Sequence, residues 1–149
     1  MEDVVGILFA IARLADLKIK ENQIEALDRG YPHSPSGLPQ KKMGIYLFKY
    51  GDKYLKIGKA GPNSNARFRS QHYKPNSAQS NLAKSILNDP DMGKFNLNNE
   101  NVSNWIKQNV QRIDILIDSS LPIFGLDLFE SFLHCKFKPK NEGFKSQRE

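Results

Sequence analysis

The sequence contains one cysteine, Cys135, and no long apolar run. A single cysteine excludes an internal disulfide framework and a cysteine-rich zinc site, and it is typical of a reducing compartment. The apolar stretch VVGILFAIA at 4–12 is too short to cross a bilayer. Acidic Glu2 and Asp3 precede it, where a signal peptide would carry basic residues. We therefore expect a soluble cytoplasmic protein that does not span a membrane.

Acidic residues are scarce in one stretch, 41–74, where Asp52 is the only one. The whole chain has a net charge of +6, whereas this stretch alone carries +8. Such a concentration favours an anionic partner such as nucleic acid, although a charged run is also typical of a solvated face. The nine basic residues are Lys41, Lys42, Lys49, Lys53, Lys56, Lys59, Arg67, Arg69 and Lys74. Of these we expect Lys41, Lys42, Arg69 and Lys74 to contact a nucleic-acid backbone.

Hydrophobic periodicity and turn residues predict the order of the elements. Apolar residues three or four apart predict a helix over 3–28, and prolines and glycines predict an irregular arm over Arg29–Gln40. The rest is predicted, in order, as strands MGIYLFKY and KYLKIGKA joined at Gly51–Asp52, helices near Asn65, over Ser77–Asp89 and near Val102–Asn109, a strand over Val110–Asp118, and a final helix FGLDLFESFLHCKF that Pro139 stops.

This order predicts the α+β class, with a small antiparallel β-sheet flanked by helices and an N-terminal helical extension. We divide the chain into an N-terminal helix and arm at 1–40 and a domain at 41–149, in which 75–109 forms a helical insertion. The chain length of 149 residues suits one domain with an appendage.

The far end of the hairpin combines one tyrosine with several cations. Strand alternation places Tyr46 beside other aromatic residues, and Lys56, Gly58 and Lys59 follow on the second strand. Small residues let a phosphate or a backbone come close, and Arg67 offers a donor fork near the start of the next helix. A half-buried aromatic residue is the plainer interpretation of Tyr46. The cations around it favour a phosphate site.

A second cluster falls on the last helix. Asp127, Glu130 and His134 follow one another at spacings of three and four, so they share one helical face. A solvated face is one interpretation of this pattern. The other is a carboxylate that holds a divalent cation, with or without its neighbours.

Five elements in order resemble the GIY-YIG nuclease superfamily. They are GIY at Gly44–Tyr46, KIG at Lys56–Gly58, Arg67, the helical Glu130, and PKN within ESFLHCKFKPKN, which ends at Asn141. The resemblance covers about 41–141 and leaves out Pro75–Asn109. Lys56 stands where the second motif usually has tyrosine, which is similar to a restriction-endonuclease branch of the family.

The resemblance implies hydrolysis of phosphodiester bonds by an endonuclease, with DNA as the expected substrate and restriction or phage defence as the expected setting. Tyr46 would be the general base on the attacking water. A phenol has a pKa of about 10, and Lys56 and Lys59 would favour its phenolate. Arg67 would stabilise charge on the phosphoryl oxygens.

The resemblance also implies one divalent metal, Mg²⁺ or Mn²⁺, held by Glu130. Magnesium accepts sparse protein ligation because waters and phosphate oxygens fill the rest of its shell. His72 corresponds to the histidine of the family, but it follows Arg67 by five residues rather than four. Asn141 would fix the local backbone or touch a phosphate.

Two other functions stay open at this point. A non-catalytic nucleic-acid-binding module would also need the basic stretch, but it would not need Glu130, since a carboxylate repels phosphate unless a metal lies between them. A basic structural partner of another protein is the third possibility. If the chain cuts both strands of duplex DNA, we expect a homodimer on that substrate, with Val4–Ala12 as the candidate contact.

Overall fold

The computed structural model describes residues 3–78 and 81–141, which form an α+β fold. The predicted class, a small antiparallel sheet flanked by helices, is confirmed. Within the described ranges no helix has the length and apolar character that crossing a bilayer requires. The elements are α1 (Val4–Leu14), β1 (Ile24–Gly30), β2 (Lys42–Tyr50), β3 (Lys53–Ala60), α2 (Asn65–Arg69), α3 (Leu82–Leu87), α4 (Val102–Asn109), β4 (Gln111–Asp118) and α5 (Ile123–Phe137), with 3₁₀ turns at Glu21–Gln23, Gln71–Tyr73 and Pro90–Phe95.

The four strands pair in the order β1-β4-β2-β3, and every pair is antiparallel. Side chains alternate across the sheet and build one core on each face. On one face, residues such as Ile45, Ile57 and Ile115 pack with α1 and α5. On the other face, residues such as Tyr46, Phe48 and Leu116 pack with side chains of α2, α3 and α4. The result is a sheet between two layers of helices.

The predicted helix over 3–28 is wrong beyond Leu14. Asp16 adopts a left-handed conformation with φ of 55°, which ends the helix. Residues 24–30 form β1, where Ile24 is buried and pairs with Ile117. The N-terminal segment therefore supplies a strand to the same sheet as 41–149. The division at residue 40 stays a prediction, as does the insertion at 75–109.

The predicted hairpin is confirmed, with Gly51 in the left-handed region at φ 58° where it closes the turn. The helix predicted over Ser77–Asp89 begins later, at Leu82, and Asn81 caps it by accepting from the Lys84 amide. Ser77 instead donates its hydroxyl to nearby carbonyls. Residues 79 and 80 of that prediction lie outside the described residues.

Candidate active site

Tyr46 lies against β3 because its cross-strand partner is a glycine. Tyr46 on β2 pairs directly with Gly58 on β3. A Cβ atom on Gly58 would collide with the phenol oxygen of Tyr46, so the ring lies directly over the glycine. The whole tyrosine is buried, with 0% relative exposure. Because β3 is the last strand in the sheet order, the phenol hydroxyl lies above the outermost strand.

Arg67 meets the phenol from α2. It is the third residue of this short helix, and its Nε donates a long hydrogen bond of 3.4 Å to the Tyr46 hydroxyl. The neighbouring Phe68 is fully buried and packs edge-on against the Tyr46 ring, which fixes α2 on the sheet. Arg67 itself is exposed. Its guanidinium can therefore bind an anion from solvent while it contacts the phenol.

Lys59 and two carboxylates form an ion-pair cluster on the opposite face of the sheet. The Lys59 ammonium lies 2.6 Å from Asp127 Oδ1 and 3.1 Å from Glu130 Oε2. The other Glu130 oxygen lies 3.3 Å from His134 Nε2. His134 Nε2 also donates to the Ile57 carbonyl at 2.9 Å, which ties α5 to β3. The predicted face of Asp127, Glu130 and His134 is thus turned toward β3.

These contacts favour the charged forms of both partners. Hydrogen bonding to Asp127 is the largest influence that raises the pKa of Lys59, and Glu130 adds to it. Burial raises the pKa of Glu130, but hydrogen bonds from His134 and Lys59 outweigh it and leave that pKa below its ordinary value. The contacts therefore favour an ammonium at Lys59 and a carboxylate at Glu130.

A cavity of about 250 Å³ joins this cluster to Arg67. Tyr46 and Glu130 lie on opposite faces of the sheet, and the cavity lies where β3, α2 and α5 meet beside the last strand. Its lining residues are Lys59, Gly61, Ser64, Arg67, Ile123, Leu126, Asp127 and Glu130. An anion in this cavity could reach both Lys59 and Arg67.

The carboxylates fit a hard divalent cation with few protein ligands. Residues 3–78 and 81–141 contain no group of three or more His, Cys, Asp or Glu side chains that could hold a metal. Magnesium does not need such a group, since one or two carboxylates plus waters suffice. Asp127 and Glu130 supply two carboxylates beside a cavity. In this structure the cation between them is the Lys59 ammonium. The donor set therefore fits Mg²⁺ or Mn²⁺.

Lys56 and His72 lie on the Tyr46 face of the sheet. Lys56 pairs with Phe48 and is only 5% exposed. The His72 ring centroid lies 4.4 Å from that of Tyr46, and neither of its ring nitrogens has a hydrogen-bond partner within the described ranges. Burial, then Lys56, Arg112 and Arg67, lowers the pKa of His72 to about 2. His72 is therefore uncharged, and its ring packs against the ring of Tyr46.

Asn141 lies beside the hairpin through its backbone. Its amide donates to the Leu55 carbonyl at 2.9 Å, and the amide of Lys140 donates to the Tyr54 carbonyl at 2.9 Å. The segment after α5 thus runs along β3. Of the two roles that the resemblance left open for Asn141, these bonds favour fixing the backbone.

The four residues that we expect to contact a nucleic-acid backbone do not line the cavity. Lys42 begins β2 and Lys41 precedes it, and the Lys41 carbonyl accepts a bond from the amide of Ser119, four residues before α5. Arg69 is exposed on α2, and Lys74 is exposed after the following 3₁₀ turn.

A buried ion pair that the sequence patterns did not predict lies behind Tyr46. Arg112 and Asp114 are 1% and 0% exposed, and Arg112 Nε donates to Asp114 Oδ1 at 2.7 Å. Asp114 pairs with Tyr46 across the β2–β4 ladder, and Arg29 reaches its second oxygen at 3.1 Å. Strand alternation in QRIDILID places Arg112 and Asp114 on one face, and this is the one signal of their pairing in the sequence.

Arg112 also fixes the elements around the tyrosine. Its Nη2 donates to the Phe68 carbonyl at 2.6 Å, and its Nη1 donates to the Tyr73 hydroxyl at 2.9 Å. The Tyr73 hydroxyl in turn lies 2.8 Å from His33 Nε2. One buried guanidinium thereby connects β4, α2 and the turn at Gln71–Tyr73.

The comparisons with known proteins find no relative. No protein-family model matches the chain, and neither the curated proteins nor the solved structures contain a significant match.

Proposed function

We propose that this chain is a metal-dependent endonuclease of the GIY-YIG type that hydrolyses phosphodiester bonds of DNA. The observation that carries the proposal is the link between Tyr46 and Glu130. The Tyr46 hydroxyl accepts a hydrogen bond from Arg67, and Arg67 lines the same cavity as Glu130 and Lys59. Tyr46, Arg67 and Glu130 are residues that the motif resemblance names, although they are far apart in the sequence. The α+β fold, with an antiparallel sheet between helices, is compatible with that family.

The proposed chemistry needs a base and an anion clamp at one place. The Tyr46 oxygen would take the proton of the attacking water, and the buried ring over Gly58 holds that oxygen in position. Arg67 contacts the same oxygen, so a phosphate bound to its guanidinium would lie beside the base. Arg67 would then stabilise the charge that grows on the phosphoryl oxygens.

A divalent ion bound at Glu130 would polarise the phosphate and stabilise the leaving oxygen. Asp127 is the available second carboxylate. The Lys59 ammonium lies between these two side chains, so it would move aside for such an ion and could then contact a phosphate oxygen. Lys59 would thus exchange its two carboxylate partners for an anionic substrate.

A non-catalytic nucleic-acid-binding module is the second candidate function. One observation favours it, because the Lys59 ammonium pairs with both Glu130 and Asp127 without any metal. This pairing reduces the repulsion between the carboxylates and a phosphate, and the basic surface alone could bind a nucleic acid.

Cleavage assays on Glu130 variants test the proposal. We expect wild-type protein with Mg²⁺ or Mn²⁺ to cut plasmid or linear duplex DNA, and Glu130→Gln to lose about 100-fold or more of this activity, since the ion supplies several kcal/mol of charge stabilisation. DNA binding should persist, because the change removes a negative charge. Glu25→Gln is the matched control, since Glu25 is exposed on β1 at the other end of the strand order.

Two results would contradict the proposal. One is cleavage that continues undiminished in EDTA or in Glu130→Gln. The other is tight DNA binding with no cleavage of plasmid, duplex, single strands or RNA under any metal, which is the outcome that the binding module predicts.

A further inference from the structure

Helix α2, which carries Arg67, is too short to be stable by itself. It has five residues, Asn65–Arg69, whereas an isolated helix shorter than about 12 residues is marginal in water. Ser64 makes no side-chain hydrogen bond at the start of this helix, and Phe68 is the one buried residue in it. The place of Arg67 beside the Tyr46 hydroxyl therefore depends on what holds the helix to the sheet.

A carbonyl at the end of α2 receives its hydrogen bond from β4. The last four carbonyls of a helix have no amide partner within the helix, and the Phe68 carbonyl is one of them. Arg112 Nη2 donates to it at 2.6 Å. Since Phe68 directly follows Arg67, this bond holds the peptide next to the side chain that contacts the Tyr46 hydroxyl.

Two further hydrogen bonds fix the Arg112 guanidinium itself. Its Nε donates to Asp114 Oδ1 at 2.7 Å, and its Nη1 donates to the Tyr73 hydroxyl at 2.9 Å. Its Cζ lies 5.0 Å from the ring centroid of Phe68 and 6.0 Å from that of Tyr46. The planar fork of an arginine can serve several acceptors in fixed directions, and a lysine ammonium lacks this geometry.

Stability alone does not account for a buried charge at this place. Arg112 is 1% exposed and Asp114 is 0% exposed, so both lose their hydration. Well-packed apolar residues of similar volume often give a fold that is equally stable or more stable than a buried ion pair does. An apolar side chain in place of Arg112 would fill the space, but it would not orient the Phe68 carbonyl.

We propose that Arg112 is a positioning residue for the reaction at Tyr46, because it orients α2 so that Arg67 meets the phenol oxygen and a bound phosphate. The inference rests on the proposed function and adds a residue that the motif resemblance does not name. Arg112 acts through the Phe68 carbonyl and does not touch the substrate. Without it, the Phe68 ring would still pack on the sheet, but Arg67 would no longer be held at the Tyr46 hydroxyl.

A double-mutant cycle on DNA cleavage tests this coupling. Arg112→Met removes the three donors and leaves Asp114 paired with Arg29. Arg67→Ala removes the group that Arg112 orients. We expect each change to lower kcat/KM by about 100-fold, as for the loss of one preorganised donor. The double variant should be about as slow as the slower single variant, rather than about 10⁴-fold slower, because both changes remove the same interaction.

Two more variants separate positioning from support of the fold. Arg112→Lys keeps the charge but not the fork, so we expect a kcat between those of wild type and Arg112→Met, with a smaller change in KM. Ile86→Ala is the matched control, since Ile86 is buried in the same core on α3 and makes none of the Arg112 hydrogen bonds. Its cost and that of Arg67→Ala should multiply, as for independent sites. Urea titration shows that each variant is folded under the assay conditions.

Each other outcome is decisive. If wild-type protein cuts DNA but the costs of Arg112→Met and Arg67→Ala multiply as in the control, Arg112 only supports the fold, and the inference is overturned while the proposed function stands. If Arg112→Met does not fold, the same cycle with Arg112→Lys decides between coupled and independent costs. If wild-type protein neither binds nor cuts any duplex, the proposed function itself fails, and the positioning role with it.

Discussion

At the scale of single residues, His72 shows how the pocket of Tyr46 depends on an uncharged ring. Its ring lies 4.4 Å from that of Tyr46, and it is 2% exposed. Burial is the largest of the causes that bring its pKa to about 2, and three nearby cations add to it. A proton on His72 would be buried among cations, so the fold excludes it over the ordinary pH range.

This neutral histidine predicts acid sensitivity. In the unfolded chain His72 has its ordinary pKa of 6.5, so below pH 6.5 unfolding takes up a proton that the folded state refuses. The free energy of unfolding should fall with pH there, by up to about 1.4 kcal/mol per pH unit for this residue. His72→Leu should lose this part of the slope in urea titrations between pH 7 and pH 5.

Comparing wild-type protein with His72→Leu isolates the contribution of His72 to the pH dependence of stability. The pKa of His33 is also lowered, first by burial and then by Arg112, but His33 is present in both proteins and its effect cancels. Above pH 7 the two proteins should show the same pH dependence, whatever their difference in stability. If the free energies of unfolding of wild type and His72→Leu stay parallel down to pH 5, His72 takes up its proton equally well in the folded and unfolded states, which would contradict the prediction.

Motif spacing found the residues that meet at the cavity, but not the residues that support them. Arg67, Lys59 and Glu130 were predicted, and the structure brings them together. The pairing of Lys59 with Asp127 was not predicted, because the two lie 68 residues apart. The network around Arg112 was missed for a related reason: a charged residue on a strand suggests a solvated face until its partners are known.

At the scale of elements, the packing of β2 on β3 depends on one missing side chain. Gly58 leaves room for the Tyr46 ring, and the cross-strand pair fixes where the phenol oxygen lies. We expect Gly58→Ala to displace the buried ring, to destabilise the fold by about 1–3 kcal/mol as overpacked cores do, and to lower cleavage more than stability alone explains. Urea unfolding and cleavage rates under folding conditions measure the two effects.

A second glycine supplies the control. A Cβ on Gly93 would meet nothing within 4 Å, and this residue lies in the 3₁₀ turn at Pro90–Phe95. Gly93→Ala should therefore leave both stability and cleavage close to wild type. Equal effects of the two substitutions would show that the position of Tyr46 is not set by Gly58.

Elements with regular alternation or a defined stop were predictable, and β1 was not. The hairpin, β4 and α5 follow from period-two patterns, a Gly-Asp turn and Pro139. In the N-terminal segment, Leu17 and Ile24 continue the helical spacing only approximately. The residue types do not predict that the backbone of Asp16 adopts a left-handed conformation. β1 is a strand because Ile24 and Ala26 pair with Ile117 and Ile115 of β4, so tertiary pairing rather than local sequence determines it.

At the scale of the whole molecule, α1 packs on one face of the sheet, and the candidate site lies beside β3, the last strand in the sheet order. α1 contributes Val4, Leu8 and Ala12 to the core that α5 also joins. Much of the apolar start at Val4–Ala12, our candidate for a contact between copies, is therefore used inside the fold. The basic strands β2 and β3 and the helix α2 lie toward the other end of the strand order, so an anionic partner would approach from there.

A nuclease with a single active site, as proposed here, would cut one strand at a time. A protein that breaks both strands of a duplex gains from two copies related by a two-fold axis, so that each site faces one strand. We therefore expect wild-type protein to sediment as a dimer on duplex DNA in EDTA, and plasmid in Mg²⁺ to become linear without a lasting nicked form. Half-buried residues of α1 such as Phe9 remain available for such a contact. A monomer both alone and on the duplex, with nicked plasmid that accumulates before linear product, would rule out the dimer and identify a nicking enzyme whose two cuts are independent.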